Sequence, residues 1–105
     1  MRTDRRDIQL AGLRQALEEQ YQLRTEQLTE LTVRAGDSED PDPAITQALI
    51  ASCRQALAEI ARALRHMAEG RYGVCAACRR EIPMERLEIL PHARFCAPCQ
   101  QRHPA

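Results

Sequence analysis

The sequence predicts an all-α-dominated protein: a long antiparallel helical hairpin of coiled-coil type, followed by a small C-terminal module built on four cysteines. Three observations predict it. Ala, Leu, Arg, Glu and Gln dominate residues 8 to 69, the composition of long helices. A short polar stretch, GDSEDPD, interrupts that run near its middle. Two Cys-x-x-Cys pairs, Cys75 with Cys78 and Cys96 with Cys99, stand near the end of the chain.

The first helix is expected to start at Asp4 or Asp7, either of which can cap free amides. It runs to Ala35, with Gly36 in the left-handed C′ position. Its core positions are Leu10, Leu13, Leu17, Tyr21, Leu28 and Leu31. Past Leu17 a strict three-four alternation would bring Gln20, Arg24 and Gln27 inward, so the apolar stripe drifts there, as a straight helix allows.

The second helix has clearer boundaries. Asp42 is a good N-cap, Pro43 suits the first helical position, and Gly70 ends the helix at C′. Its seam is Ile50, Cys53, Leu57, Ile60, Leu64 and Met67, alternating by three and four without a break. At ~1.5 Å per residue this helix alone is about 40 Å long. GDSEDPD is too short and polar for a domain linker, so the helices fold back on each other. Residues 1–70 are therefore expected to form the hairpin, with an acidic tip at 36–43, and residues 71–105 the cysteine module. A purely structural hairpin, or half of an intermolecular coiled coil, fits the same pattern.

In the module, each Cys-x-x-Cys turn offers two sulfurs to one ion, and the second pair completes a tetrahedral shell from Cys75, Cys78, Cys96 and Cys99. Two matched pairs are a strong signal for one structural zinc ion in a zinc-ribbon-like module, because no coordination position remains for water. Between the pairs, Glu81 and Ile82 are expected to form a short strand and Pro83 to open a helical turn. Leu87 and Leu90 are expected to face the metal module, and Pro91 to end the turn. Tyr72 and Phe95 are expected to pack around the site. His66, His92 and His103 lack paired metal spacing, and Cys53 is expected to be a small buried hydrophobe on the seam.

Formal charge sums to zero but is uneven: 0 over residues 1–36, −4 over 37–43, +1 over 44–70 and +3 over 71–105. Such balance argues against general nucleic-acid binding, which needs excess cations to displace counterions. All fifteen basic residues are arginine. The start of the chain lacks the apolar core of a signal peptide, and no stretch suits a membrane span, so a cytoplasmic protein with reduced thiols is expected. No phosphate loop, GxSxG elbow or HExxH motif occurs, so an enzyme is not expected.

The helical hairpin, RYGVCAAC, and REIPMERLEILPHARFCAPC together resemble the bacterial DksA/TraR proteins with their C4 zinc finger. The resemblance covers nearly the whole chain. It implies direct RNA polymerase binding without DNA contact. The finger and hairpin base dock at the rim of the secondary channel, and the hairpin enters it to alter open-complex stability, often with ppGpp, the alarmone of the stringent response. The family's tip signature, Asp-x-x-Asp-x-Ala, is matched here by Glu39-x-x-Asp42-x-Ala44. The positions that contact ppGpp in known members correspond to Glu59, Leu90 and Gln100, while Arg86 is retained as a possible polymerase or ppGpp contact.

The residues alone support the tip independently, since four acids within residues 37–43 on a rigid rod concentrate negative charge. The alternative is that these acids only solvate a turn and cap a helix. Two other functions stay open at this level, a zinc and thiol stress sensor and a zinc-ribbon nucleic-acid binder.

Overall fold

The computed structural model describes residues 5–102, in which four helices follow in order: α1 (Arg5–Ala35), α2 (Pro43–Ala68), α3 (Met84–Ile89) and α4 (Ala97–Arg102). The cap expected at Asp4 and the histidine at position 103 lie outside the described residues. The molecule is elongated, 56 × 35 × 20 Å, because α1 and α2 pair as an antiparallel rod and the finger sits at one end.

The ends of α2 follow local chemistry. Asp42 Oδ1 accepts from the Ile45 amide at 3.2 Å, and Pro43 needs no such partner at the first position. At the other end, Gly70 has φ 74, its amide donates to Met67 O at 3.2 Å, and the Arg71 amide donates to His66 O at 2.8 Å. That pair of bonds is a Schellman cap, which requires the left-handed glycine.

The end of α1 differs from expectation. Gly36 is not in the left-handed region. Its amide reaches back to Thr32 O and Val33 O, each at 3.2 Å, and the Asp37 amide donates to Arg34 O at 3.0 Å. A tightened last turn therefore satisfies the carbonyls without a left-handed residue.

Three apolar clusters run along the rod. Near the tip, Leu31 packs with Ile50 and Cys53, with Leu28 at the margin. In the middle, Leu17 meets Ile60 and Ala63, flanked by Leu64 and Met67. At the base, Leu13 joins Cys75, Ile82, Leu87 and Cys99, with Leu10, Tyr72 and Phe95 against them. The finger thus shares a core with α1 and is not merely tethered to α2.

Tyr21 is a correction, being 41% exposed. Between the tip and middle clusters the rod has a polar layer, where Gln20, Arg24 and Gln27 share an open groove with Ala56 and Ile60. Cys53 Sγ donates there to Arg24 O at 3.5 Å and Gln27 Oε1 at 3.4 Å. Helix rotation turns the ring at position 21 outward while Gln20 becomes half-buried. Cys53 is buried as expected.

Candidate metal centre

The finger begins with a tight loop. The Val74–Glu81 antiparallel bridge brings two chain segments together, with the Ile82 amide donating to Gly73 O at 2.7 Å and the Cys75 amide to Arg80 O at 2.8 Å. This single bridge replaces the short strand expected at Glu81 and Ile82, since the described residues form no ladder long enough for one. Inside the loop the Arg79 amide donates to Cys75 O at 3.0 Å, and Arg79 adopts φ 65 so that the chain can turn back. Non-glycine residues enter that region at a cost of roughly 1 kcal/mol.

The second pair sits at the start of α4, with Cys96 just before the helix and Cys99 inside it. The Gln100 amide donates to Cys96 O at 2.9 Å, which holds that turn, and the Ala76 amide donates to Arg94 O at 2.8 Å, which joins the two cysteine loops. From behind, α3 delivers Leu87, fully buried against the loops. Leu90 does not join it. It is 39% exposed because α3 stops at Ile89, and Met84 packs against the cluster instead. Tyr72 packs at the junction as expected, its hydroxyl donating to Pro91 O at 2.8 Å, and burial pushes its pKa up to about 12.

The four Sγ atoms of Cys75, Cys78, Cys96 and Cys99 all lie within 4.8 Å of one another, and Cys78 and Cys96 are 3.8 Å apart. A tetrahedron with metal–sulfur arms of ~2.3 Å has edges of about 3.8 Å, so the spacing fits zinc. Burial opposes charge on Cys75, yet the amides of Cys78, Cys96 and Ala77 outweigh it and bring that thiol down to about 6. Hydrogen bonding with Cys96, then burial, pushes Cys99 up to about 12. Without a cation the cage therefore accepts a first negative charge and resists the next, which is the electrostatic reason for a divalent ion. With all four positions filled by sulfur, one zinc held here is structural. Neither His66 nor His92 belongs to the cluster.

The remaining sequence-derived positions fall into two places. Glu39, Asp42 and Ala44 are all exposed at the tip, some distance along the rod from the cysteines. There Asp37 Oδ1 accepts from the Glu39 amide at 2.9 Å and Asp40 Oδ1 from the Asp42 amide at 3.1 Å, so several acids also shape the turn. Glu59, Arg86, Leu90 and Gln100 come together along one groove at the rod's base. Arg86 is partly committed, because its Nε donates to Phe95 O at 3.1 Å.

Thr46 and Ala63 were missing from the expected core yet are buried. Thr46 stands four residues before Ile50 and prolongs the same seam, so admitting a hydroxyl that bonds Asp42 O at 3.2 Å would have found it. Ala63 stands three residues after Ile60 and four before Met67, so the same spacing admits it, and only its small side chain kept it off the expected seam.

A hairpin rod seated on a four-cysteine cage defines a zinc-finger protein with a projecting helical arm. Residues 70–105 match the family model of the prokaryotic dksA/traR C4-type zinc finger, so the similarity to that family lies in the finger, about a third of the chain. It is similar to general stress protein 16O of Bacillus subtilis (strain 168), 49% identical over 47 residues. That match covers 45% of this chain and 29% of the relative. An uncharacterized protein of Aquifex aeolicus (strain VF5) is 44% identical over 45 residues, 43% of this chain and 31% of that protein. The matched stretch thus spans under a third of either relative. In fold, the chain resembles transcription factor DksA2 from Pseudomonas aeruginosa, with TM-score 0.77 and 23% identity over 92% of this chain and 84% of that one. No helix among the described residues is long and apolar enough to cross a membrane.

Proposed function

We propose that this protein is a cytoplasmic, DksA-type transcription regulator that binds RNA polymerase directly. Its finger and hairpin base dock at the rim of the secondary channel, and the tip enters the channel to alter open-complex stability and initiation. The observation that carries this reading is the DksA2-like shape extending over 92% of the chain, rod and finger together. It acts by binding, not catalysis, and contacts no DNA. In this reading Glu39 and Asp42 present charge at the tip, Ala44 leaves room for close approach, and Arg86 contributes a contact at the base. Glu59, Leu90 and Gln100, at the positions that contact ppGpp in known members, carry no cation, and the arginines of that groove are Arg86 and Arg94, so regulation is expected to depend little on that alarmone.

The test is a polymerase pull-down with in-vitro transcription, comparing the parent chain with Asp42→Asn. Binding is expected to persist while regulation is lost, because the base still docks. If the substitution leaves both unchanged, the tip has been misassigned.

A second reading is a zinc and thiol stress sensor. It is supported by the exposure of Cys78, where the other ligands are buried or half-buried, and by the stress-protein name of the Bacillus relative. Zinc release at peroxide levels that leave ordinary structural fingers intact would favour it.

A further inference from the structure

The finger and the rod meet at a notch on one flank of the hairpin. His92, on the loop after α3, lines an open groove with Leu23 and Ala56 of the rod, and a neighbouring groove with Gln55, Arg86 and Arg94. From that shoulder towards the tip the flank carries apolar side chains open to water. Ile45, Leu49 and Ala56 fall within about 40° of one another around α2. Ile45 is 57% exposed and Leu49 41%, and Leu23 adds a side chain 64% exposed from α1.

Charge is divided along the molecule. The tip, residues 37–43, carries −4 and the finger, residues 71–105, carries +3, while the rod between them is close to neutral. Arg86 and Arg94 bring the finger's positive charge to the notch, beside α2 at Gln55. Glu59 is an acid among those cations, its Oε2 facing His92 Nε2 at 3.7 Å. In a single copy the two poles stand at opposite ends of the rod. A half-turn about an axis through Leu49 lays a second copy antiparallel on the same flank and brings residue 42 of each level with residue 56 of the other. Each acidic tip then arrives at the other copy's cationic shoulder.

We propose that two copies of this chain associate head to tail through this flank, around a two-fold axis near Leu49. Leu49 meets its counterpart, Ile45 and Leu23 flank it, and the tip acids of each copy face Arg86 and Arg94 of the other. The occupant is a second copy because the chain's own poles complement each other in both halves of the contact at once. The overlap, residues 42–56, is ~21 Å long and two helices, ~20 Å, wide, so it covers about 400 Å2 per copy. A stable interface takes ~800 Å2 per partner, so this dimer is weak and dissociates on dilution. It covers Glu39, Asp42 and Ala44, and, on the polymerase reading above, it is a storage form in which the tip is withheld.

The test uses the zinc-loaded full chain without polymerase, so its result stands apart from that of the transcription experiment. Sedimentation equilibrium between micromolar and millimolar protein is expected to show a monomer–dimer equilibrium that weakens as salt is added. Leu49→Asp should weaken it by about tenfold or more, because two carboxylates then face each other at the centre of the contact. Tyr21→Asp should change it by less than about twofold, since Tyr21, equally exposed at 41%, lies about 160° round α1 from Leu23, on the opposite flank. Glu39→Arg and Arg94→Glu should each weaken association by about threefold or more, because each gives tip and finger the same sign. Mixing these two variants should restore it, since the reversed tip of one then meets the reversed finger of the other. All four variants should keep their zinc, because each changes an exposed side chain that is not a ligand. A monomer at millimolar protein, loss with Tyr21→Asp in place of Leu49→Asp, or a mixture no stronger than either variant alone would each overturn the proposal, and the first would leave the flank to a different protein.

Discussion

A Cβ placed on Gly73 would stand 3.2 Å from Cδ1 of Leu87, and Gly73 holds φ +82. The finger's first loop and α3 therefore approach each other through a position where only glycine combines the required backbone with the required clearance. Gly73→Ala is expected to cost about 1–3 kcal/mol, from left-handed strain together with the displaced Leu87. Chelator competition should show faster zinc loss. An unchanged release rate would mean that the loop can relax away from Leu87.

Stripping zinc should melt one end of the molecule. In small zinc modules the ion supplies on the order of 10 kcal/mol of folding free energy. Loss of amide protection is expected across the finger and around Leu13, which shares its core, while the Leu31, Ile50 and Cys53 cluster near the tip keeps its protection. Hydrogen exchange with and without chelator measures this. Uniform loss along the rod would show that the hairpin has no stability of its own.

At the tip, Asp42→Ala is expected to destabilise α2 by about 1 kcal/mol, because the Ile45 amide loses its acceptor. Asp42→Asn should be nearly neutral, since asparagine caps equally well. Thermal melts of the two variants separate the capping role of this side chain from its charge, which is why the asparagine variant suits the polymerase experiment.

Leu17 and Tyr21 lie one turn apart on α1 but should respond oppositely to truncation. Leu17 is fully buried, so Leu17→Ala is expected to cost about 2–5 kcal/mol. Tyr21 faces water, and Tyr21→Ala should stay within about 0.5 kcal/mol. Denaturant unfolding decides the point, and a large effect at Tyr21 would place its ring in an interface.

The phenol of Tyr72 is pushed up to about 12 by burial, above its ordinary value of 10.0. The fold thus favours the neutral form. Its contribution to stability is complete below pH ~10 and is lost as pH rises through about 12. Tyr72→Phe should lower stability at neutral pH by about 1 kcal/mol through loss of the bond to Pro91 O, and should flatten the alkaline decline. Melting temperatures between pH 8 and 12 would show an unaltered alkaline slope if another group were responsible.

The features legible in the sequence depend on atoms a few residues apart. The Asp42 cap, Pro43, the Gly70 terminator and the chelate spacing of the two cysteine pairs are such features, and each is closed by bonds within about one turn. Equally local signals misled at Gly36, where a tightened turn served as well as a left-handed residue, and at Leu90, which lies just past the end of α3.

The sequence by itself determined two long helices, a sharp acidic turn and a four-thiol cage, because hydrogen-bond and chelate rings close over short stretches of chain. Only the tertiary structure decided that Leu13 belongs to the finger's core, that Tyr21 faces water, and that Ala63 is buried against Leu17. Those relationships depend on how far one helix rotates against the other and where the finger settles on the rod. That is set by the packing of the whole molecule, so no local pattern carries it.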